Sequence, residues 1–324
     1  MPAMPVTVYF ATNRKLTGAG ESLASYRSTE LVAPSNPALV TFGTAFVNDA
    51  NLTADTTGAI QSIQNISHGD FDDSTRGDLE TPGRNLLIFI HGFDNSFENA
   101  ITRAAFNQQW LLNSGLPGTD TSVIAFCWPS LGKLLSFPIL DADYKQDQTS
   151  ARLSGLHIMS FFAALEPTLA KARKAGAKVT LLAHSMGNWA LAAAVENWFA
   201  HGNGVASLFD EAILAAADEV YDTFDYLPYG RLSGLSNLAR RISIYFSNAD
   251  AVLKISMVVN LGANRLGQDG PHNRFDTGRF PPSRYRMVDC SGFHDYQIDF
   301  ASSHQYYRRS PAVRADIAAV MATG

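Results

Sequence analysis

The stretch Val179-Thr-Leu-Leu-Ala-His-Ser-Met-Gly-Asn-Trp-Ala-Leu-Ala-Ala-Ala-Val195 decides how this chain is read. Val179 to Ala183 is an apolar run suited to a short buried strand. It breaks at His184-Ser185-Met186-Gly187, and the Ala-rich segment that follows predicts a helix of about three turns. A serine at a one-residue corner between strand and helix sits in a strained backbone conformation, with its Oγ projecting from the sheet edge. Small residues flank such a corner because strand and helix nearly touch there. The usual pattern is G-x-S-x-G; here it reads Ala183-x-Ser185-x-Gly187, with alanine in place of the first glycine. Taken alone, the same letters also describe an ordinary helix start with Ser185 as N-cap. The rest of the chain decides between the two.

Working outward, buried strands are predicted at Val6–Ala11, Leu39–Val47, Leu86–Ile90, Ser122–Trp128, Ala212–Ala217, Ile242–Ser247 and Tyr285–Cys290, and Ile60–Ile66 alternates weakly. Helical patterns cover Phe97–Leu112, about Gln148–Ala175, the segment after Ser185, and a terminal helix opened by Ser310-Pro311 and running through Met321. Residues 12–38, Asp70–Arg84 and 262–284 read as loops, and Thr12-Asn13-Arg14 reads as a structural anchor. Gly132–Gln148 has no clean period, so residues 131–148 are expected to form a lid, a pocket wall or a core-packing loop. Strands alternating with helices, the strands nearly continuous in apolar residues, predict one α/β domain over residues 1–324: a mostly parallel sheet covered by helices on both faces. In such sheets ligands bind beyond the C-terminal strand ends. His91-Gly92, Trp128, Ser185, Asp218, Asp250 and the loop holding His294 and His304 all fall at such ends, which favours the corner reading of Ser185.

Composition narrows the function classes. The 324 residues are 46% hydrophobic and 17% charged, as in a well-buried globular chain. A formal charge of −5 gives no reason to expect a nucleic-acid partner. The N-terminus lacks the basic start and apolar core of a secretory signal, and no apolar run reaches the roughly 18 residues of a membrane span, so a cytoplasmic protein is expected. Cys127 and Cys290 are too few and too far apart for a metal-ligand pattern or a disulfide framework, and are expected to be buried free thiols.

A serine hydroxyl is a poor nucleophile until a base takes its proton, and a carboxylate that holds the base in one tautomer completes the set. The expected chain order on such a sheet is Ser, then acid, then His. Asp250 and Asp218 each follow a strand beyond Ser185, and Asp250, after the second, is favoured. The base belongs between the last strand and the terminal helix, which leaves His294 and His304; spacing alone does not separate them. The backbone N–H groups of Phe93 and Met186 are the expected donors to a developing oxyanion, with His91 orienting the loop. Trp128, His184 and Asp94 are candidate pocket residues.

Val8-Tyr-Phe-Ala-Thr-Asn-Arg14, Phe89-Ile-His-Gly-Phe-Asp-Asn-Ser-Phe97, Phe126-Cys-Trp-Pro-Ser130, Ala183-His-Ser-Met-Gly187, Tyr245-Phe-Ser-Asn-Ala-Asp250, Arg265-Leu-Gly267 and His304-Gln-Tyr-Tyr307 together resemble the α/β-hydrolases. Within them, they resemble a bacterial esterase/lipase-like family catalogued as a domain of unknown function. The resemblance extends from near residue 8 to near residue 316. It implies His304 as base, in a His-x-Tyr motif ahead of the last helix, and Asp250 as acid, with Asp218 in a second acidic position. Asp94 departs from the asparagine often found there; a carboxylate would oppose an oxyanion, and capping the next helix is its expected alternative. The expected activity is serine-dependent cleavage of a small-molecule carboxylic ester, with no metal or organic cofactor. A thioester, lactone or amide is the alternative substrate, and a non-catalytic binding scaffold is the alternative of another class. Nothing in the sequence fixes the oligomeric state.

Overall fold

The computed structural model describes residues 6–48, 52–132 and 141–323. Its strands are β1 (Val6–Thr12), β2 (Thr41–Val47), β3 (Ile60–Ile66), β4 (Asn85–Ile90), β5 (Thr121–Cys127), β6 (Val179–His184), β7 (Phe209–Ala215), β8 (Ala239–Phe246) and β9 (Tyr285–Asp289). They form one sheet in the order β3-β2-β1-β5-β4-β6-β7-β8-β9. From β1 to β9 every neighbouring pair is parallel, and β2 and β3 add an antiparallel edge. Every residue of β4, β5, β6 and β7 is buried, which is why these strands read as largely apolar runs, β7 doing so only from Ala212 because Asp210 and Glu211 are buried with it. Edge strand β3 buries only Ile63 fully, so its alternation is weak.

Successive residues serve opposite faces. Ile88, Phe126 and Leu181 join a core with helices α1 (Phe71–Leu79), α4 (Gly155–Lys174) and α5 (Gly187–Ala200). Leu87, Phe89 and Val123 join another with α2 (Phe97–Leu112) and the terminal helix Pro311–Thr323. The chain leaves β4 toward β5 on one side and returns to β6 on the other. The strand order therefore reverses between β4 and β6, where a crevice opens beyond the strand ends. Ser185 lies there.

Two expectations require correction. Residues 70–84, read as a loop, contain α1. Ser67 accepts the Asp70 N–H at 3.2 Å, Asp72 and Asp73 occupy the first turn, and Phe71, Thr75 and Leu79 form a narrow buried stripe at four-residue spacing. So few apolar residues in an acidic segment hid the helix. The single helix expected over Gln148–Ala175 begins earlier, as α3 (Asp141–Leu153), and bends at Ser154 into α4. Ser154 Oγ accepts from Asn13 at 2.9 Å, and Gly155 lies so close to α5 that a Cβ there would stand 2.5 Å from the Ala193 Cβ. By length and composition the run Ala142–Lys174 matches a membrane span, yet 56% of its most apolar window is buried inside the fold. Of the expected lid, residues 133–140 lie outside the described residues, and 141–148 are the start of α3. Cys127 and Cys290 are buried free thiols, and burial pushes both up to about 12.

Candidate active site

β6 ends at His184, α5 begins at Gly187, and Ser185 between them has φ 55°. The left-handed region costs an L-residue about 1–2 kcal/mol, so the surroundings must hold it. The Ser185 N–H donates to the Ala215 carbonyl at 3.0 Å, and its own carbonyl accepts from Asn188 at 3.0 Å and Asp218 at 3.1 Å. Crowding explains the small neighbours. A Cβ on Gly187 would stand 2.6 Å from the His91 carbonyl oxygen, and one on Gly92 would stand 2.6 Å from the Ser185 Cβ. Ala183 is fully buried in the core, where its methyl is accommodated.

Two further elements converge on Ser185. Asp250 follows β8 and caps the helix Ala251–Val259, its Oδ1 accepting the Leu253 N–H at 2.9 Å. Its Oδ2 stands 2.6 Å from His304 Nδ1. A carboxylate only accepts, so Nδ1 carries the proton; Nε2 is then the bare nitrogen and accepts the Ser185 hydroxyl at 2.7 Å. His304 lies in the turn Ser302–His304, and the neighbouring Ser303 Oγ accepts the Ala251 N–H at 3.1 Å, tying the His304 turn to the helix that follows Asp250. All three side chains are buried. His294 is exposed and, among the described residues, takes no part in this chain of bonds. Asp218, the other sequence candidate for the acid, bonds elsewhere.

His184 fills the space behind His304. Its Nε2–H donates to the His304 carbonyl at 3.2 Å, and its ring packs on those of His304 and Tyr307. Burial, then the neighbouring His304, holds its pKa well below the usual imidazole value, so it is neutral. Phe93 lines the cavity beside Ser185, and Met186, next in the chain, is fully buried. Among the described residues, neither backbone N–H has a backbone partner outside the regular elements.

The anchor Thr12-Asn13-Arg14 supports these loops from below. Buried Arg14 donates to the carbonyls of Asn95 at 2.9 Å and Ser130 at 3.2 Å, joining the segments after β4 and β5. Asp147 on α3 clamps the same segments, accepting the Ser130 hydroxyl, the Leu131 N–H at 3.0 Å and the Asp94 N–H at 3.3 Å. Burial raises its carboxyl to about 6 despite those bonds.

A cavity of about 40 Å³ adjoins Ser185, walled by Phe93, Tyr144, His184, Val252 and Ile255 among others. Two expected pocket residues are not in its wall. Trp128 is fully buried, stacked on His91 at 5.0 Å, with its indole N–H on the His91 carbonyl at 2.7 Å. Asp94 has φ 59° and does not cap α2; Ser96 does, accepting from Asn99 at 3.1 Å. Asp218 does line the cavity, accepting from Tyr144 at 2.7 Å and Ser256 at 2.5 Å, with Arg265 3.6 Å away. Tyr144 and Ser256 escaped the sequence reading because each lies in a helix far in sequence from Asp218, with no local pattern pointing to the contact. Arg265-Leu-Gly267 is placed by its glycine: a Cβ there would stand 2.3 Å from the Ala217 nitrogen.

A family model described as "Alpha/beta hydrolase of unknown function (DUF900)" matches residues 70–321. Among solved structures, the peroxisomal α/β-hydrolase Lpx1 of Saccharomyces cerevisiae is similar at 9% identity over 99% of this chain and 90% of that one, with a TM-score of 0.34. That likeness is too slight to carry an argument. A search of curated proteins found no match.

Proposed function

We propose, from the premise that this chain belongs to the α/β-hydrolase family matched over residues 70–321, that it is a serine hydrolase cleaving carboxylic esters through an acyl-enzyme. The observation that carries this reading is the hydrogen-bonded run from Ser185 Oγ through His304 to Asp250, at 2.7 and 2.6 Å. In the proposed cycle His304 Nε2 takes the Ser185 proton as Oγ attacks the carbonyl carbon. Asp250 stabilises the imidazolium that forms. The Phe93 and Met186 N–H groups receive the oxyanion, and His304 returns the proton to the leaving alkoxide. Water, deprotonated by the same histidine, then releases the acid. A cavity of about 40 Å³ favours a short acyl group on the ester carbonyl.

The test is to treat the protein with a fluorophosphonate and locate the label by mass spectrometry, with Ser185→Ala, Asp250→Asn and His304→Ala alongside. One label at Ser185, absent from the serine variant and slowed sharply in the other two, is expected. Turnover of a p-nitrophenyl ester should fall by about 10⁴ to 10⁶ in the serine and histidine variants. Folded wild-type protein that takes no label would overturn the reading. Labelling at Ser185 with faster turnover of a matched thioester or amide would keep the nucleophile and reassign the substrate.

A further inference from the structure

Away from Ser185, two adjoining concavities run between α2 and the terminal helix. One, of about 580 Å³, is walled by Phe106, Trp110, Leu116, Ala315 and Ala319. The other, of about 380 Å³, is walled by Arg308, Arg309, Tyr296 and Asp55. Leu52, Phe106 and Arg314 border both, so one groove carries an apolar stretch, with Gln109, Asn113 and Ser114 also in its wall, and is cationic at one end.

The cationic end is under-compensated. Arg308 is only 5% exposed yet lines the cavity. Its Nε donates to Gln305 at 2.8 Å, and among the described residues no carboxylate forms a salt bridge with it, Asp55 acting on it only at longer range while bridging Arg309. Burial, and then the charge of Arg103 on α2, pull its guanidinium down to about 9. Arg309 is paired with Asp55, and Arg314, its guanidinium 5.8 Å from the Phe106 ring centre, feels Asp295. In the groove wall three guanidinium groups, Arg308, Arg309 and Arg314, thus stand with one carboxylate, Asp55, while Asp295 acts on Arg314 from outside that wall and Arg103 adds positive charge behind Arg308. This excess of positive charge matches an anion, and a planar carboxylate matches a guanidinium fork.

We propose that this groove binds a straight-chain fatty acid, its carboxylate on Arg308 and Arg314 and its chain along Phe106, Trp110 and Ala315. The site is separate from the one at Ser185.

Titration calorimetry of the whole chain with decanoate tests this, with decanol and inorganic phosphate as the apolar and the anionic controls. Saturable binding of one decanoate per chain is expected, and each control should bind at least about tenfold more weakly, since each lacks one half of the match. Arg308→Gln should weaken decanoate at least about tenfold. Because Arg308 is buried, Arg314→Gln and Ala315→Trp serve as surface variants; Ala315 is exposed, and a tryptophan there fills the groove without touching the core. Each should weaken binding to a similar degree. No saturable binding, equal affinity for decanol, or decanoate binding that survives both surface variants would each overturn the assignment.

Discussion

His184 donates its Nε2–H to the backbone carbonyl of His304 across 3.2 Å, so the residue before Ser185 holds the backbone of the residue that faces it. The neutral state of His184 makes this a bond between uncharged groups, and it adds no positive charge behind His304. On the proposed mechanism His184 positions the base and also forms part of the cavity wall. His184→Ala should lower kcat for a chromogenic ester roughly tenfold to a hundredfold, the usual cost of a small misplacement of a reacting group. The fall in kcat should exceed any change in KM, since positioning acts on the chemical step and the wall contact on binding. A variant with wild-type kcat removes His184 from the mechanism.

Gly92 carries a second prediction. Its added Cβ would meet the Ser185 Cβ at 2.6 Å and the His184 carbonyl oxygen at 2.9 Å. Neither can retreat: one belongs to the strained corner and the other to β6. Gly92→Ala should therefore displace the loop bearing the Phe93 N–H. Loss of one oxyanion donor costs about 10² to 10³ in kcat, and fluorophosphonate labelling of Ser185 should slow in parallel. Labelling at the wild-type rate would show that the loop accommodates the methyl.

These two residues also mark what the sequence disclosed. Gly92 and Ser185 were legible because a buried strand ending in a small residue is a local signal, and the reversal of strand order brings such ends together whatever lies between. The helix at 71–79 was not legible, since three buried side chains and a cluster of acids give no strong period. Trp128 was misplaced because its position after a strand end is shared by pocket and core residues alike; its indole bond to the His91 carbonyl decides for the core. The contacts of Tyr144 with Asp218 and Ser256 join residues 74 and 112 positions apart in sequence, and no local pattern announces them.

Stability should depend on pH through His91. Burial lowers its pKa from 6.5 to about 3. Between those values the unfolded chain takes up a proton that the folded chain refuses, so this contribution is present above 6.5 and is lost as pH falls toward 3. At about pH 5 the loss is about 2 kcal/mol. His184 shifts in the same direction and adds to the loss. Asp147, raised from 3.8 to about 6, acts in the opposite sense: the folded chain holds that proton longer, and the stability it lends at low pH is lost as pH rises through about 6. His91→Phe keeps a ring against Trp128 and removes one titrating group. Urea unfolding at about pH 7 and about pH 5 should show the acid-induced loss reduced by about 2 kcal/mol in the variant. An unchanged loss would mean that His91 does not refuse the proton.

Asp250 does two things through different oxygens, and substitution can separate them. Oδ2 faces His304 at 2.6 Å, and Oδ1 accepts the Leu253 N–H at 2.9 Å as the cap of the following helix. Asparagine retains a carbonyl oxygen for the cap but presents a neutral amide to the imidazole, favouring the wrong tautomer. Asp250→Asn should reduce ester turnover by about 10⁴ while thermal unfolding stays near wild type. Asp250→Ala loses both functions: turnover should fall as far, and stability should drop by about 1 kcal/mol more than in the asparagine variant, the usual cost of a missing cap. Scanning calorimetry beside steady-state kinetics reads both. If the asparagine variant were destabilised as much as the alanine variant, Oδ1 would not be acting as a cap. If it turned over ester at the wild-type rate, the charge on Asp250 would have no part in activating Ser185.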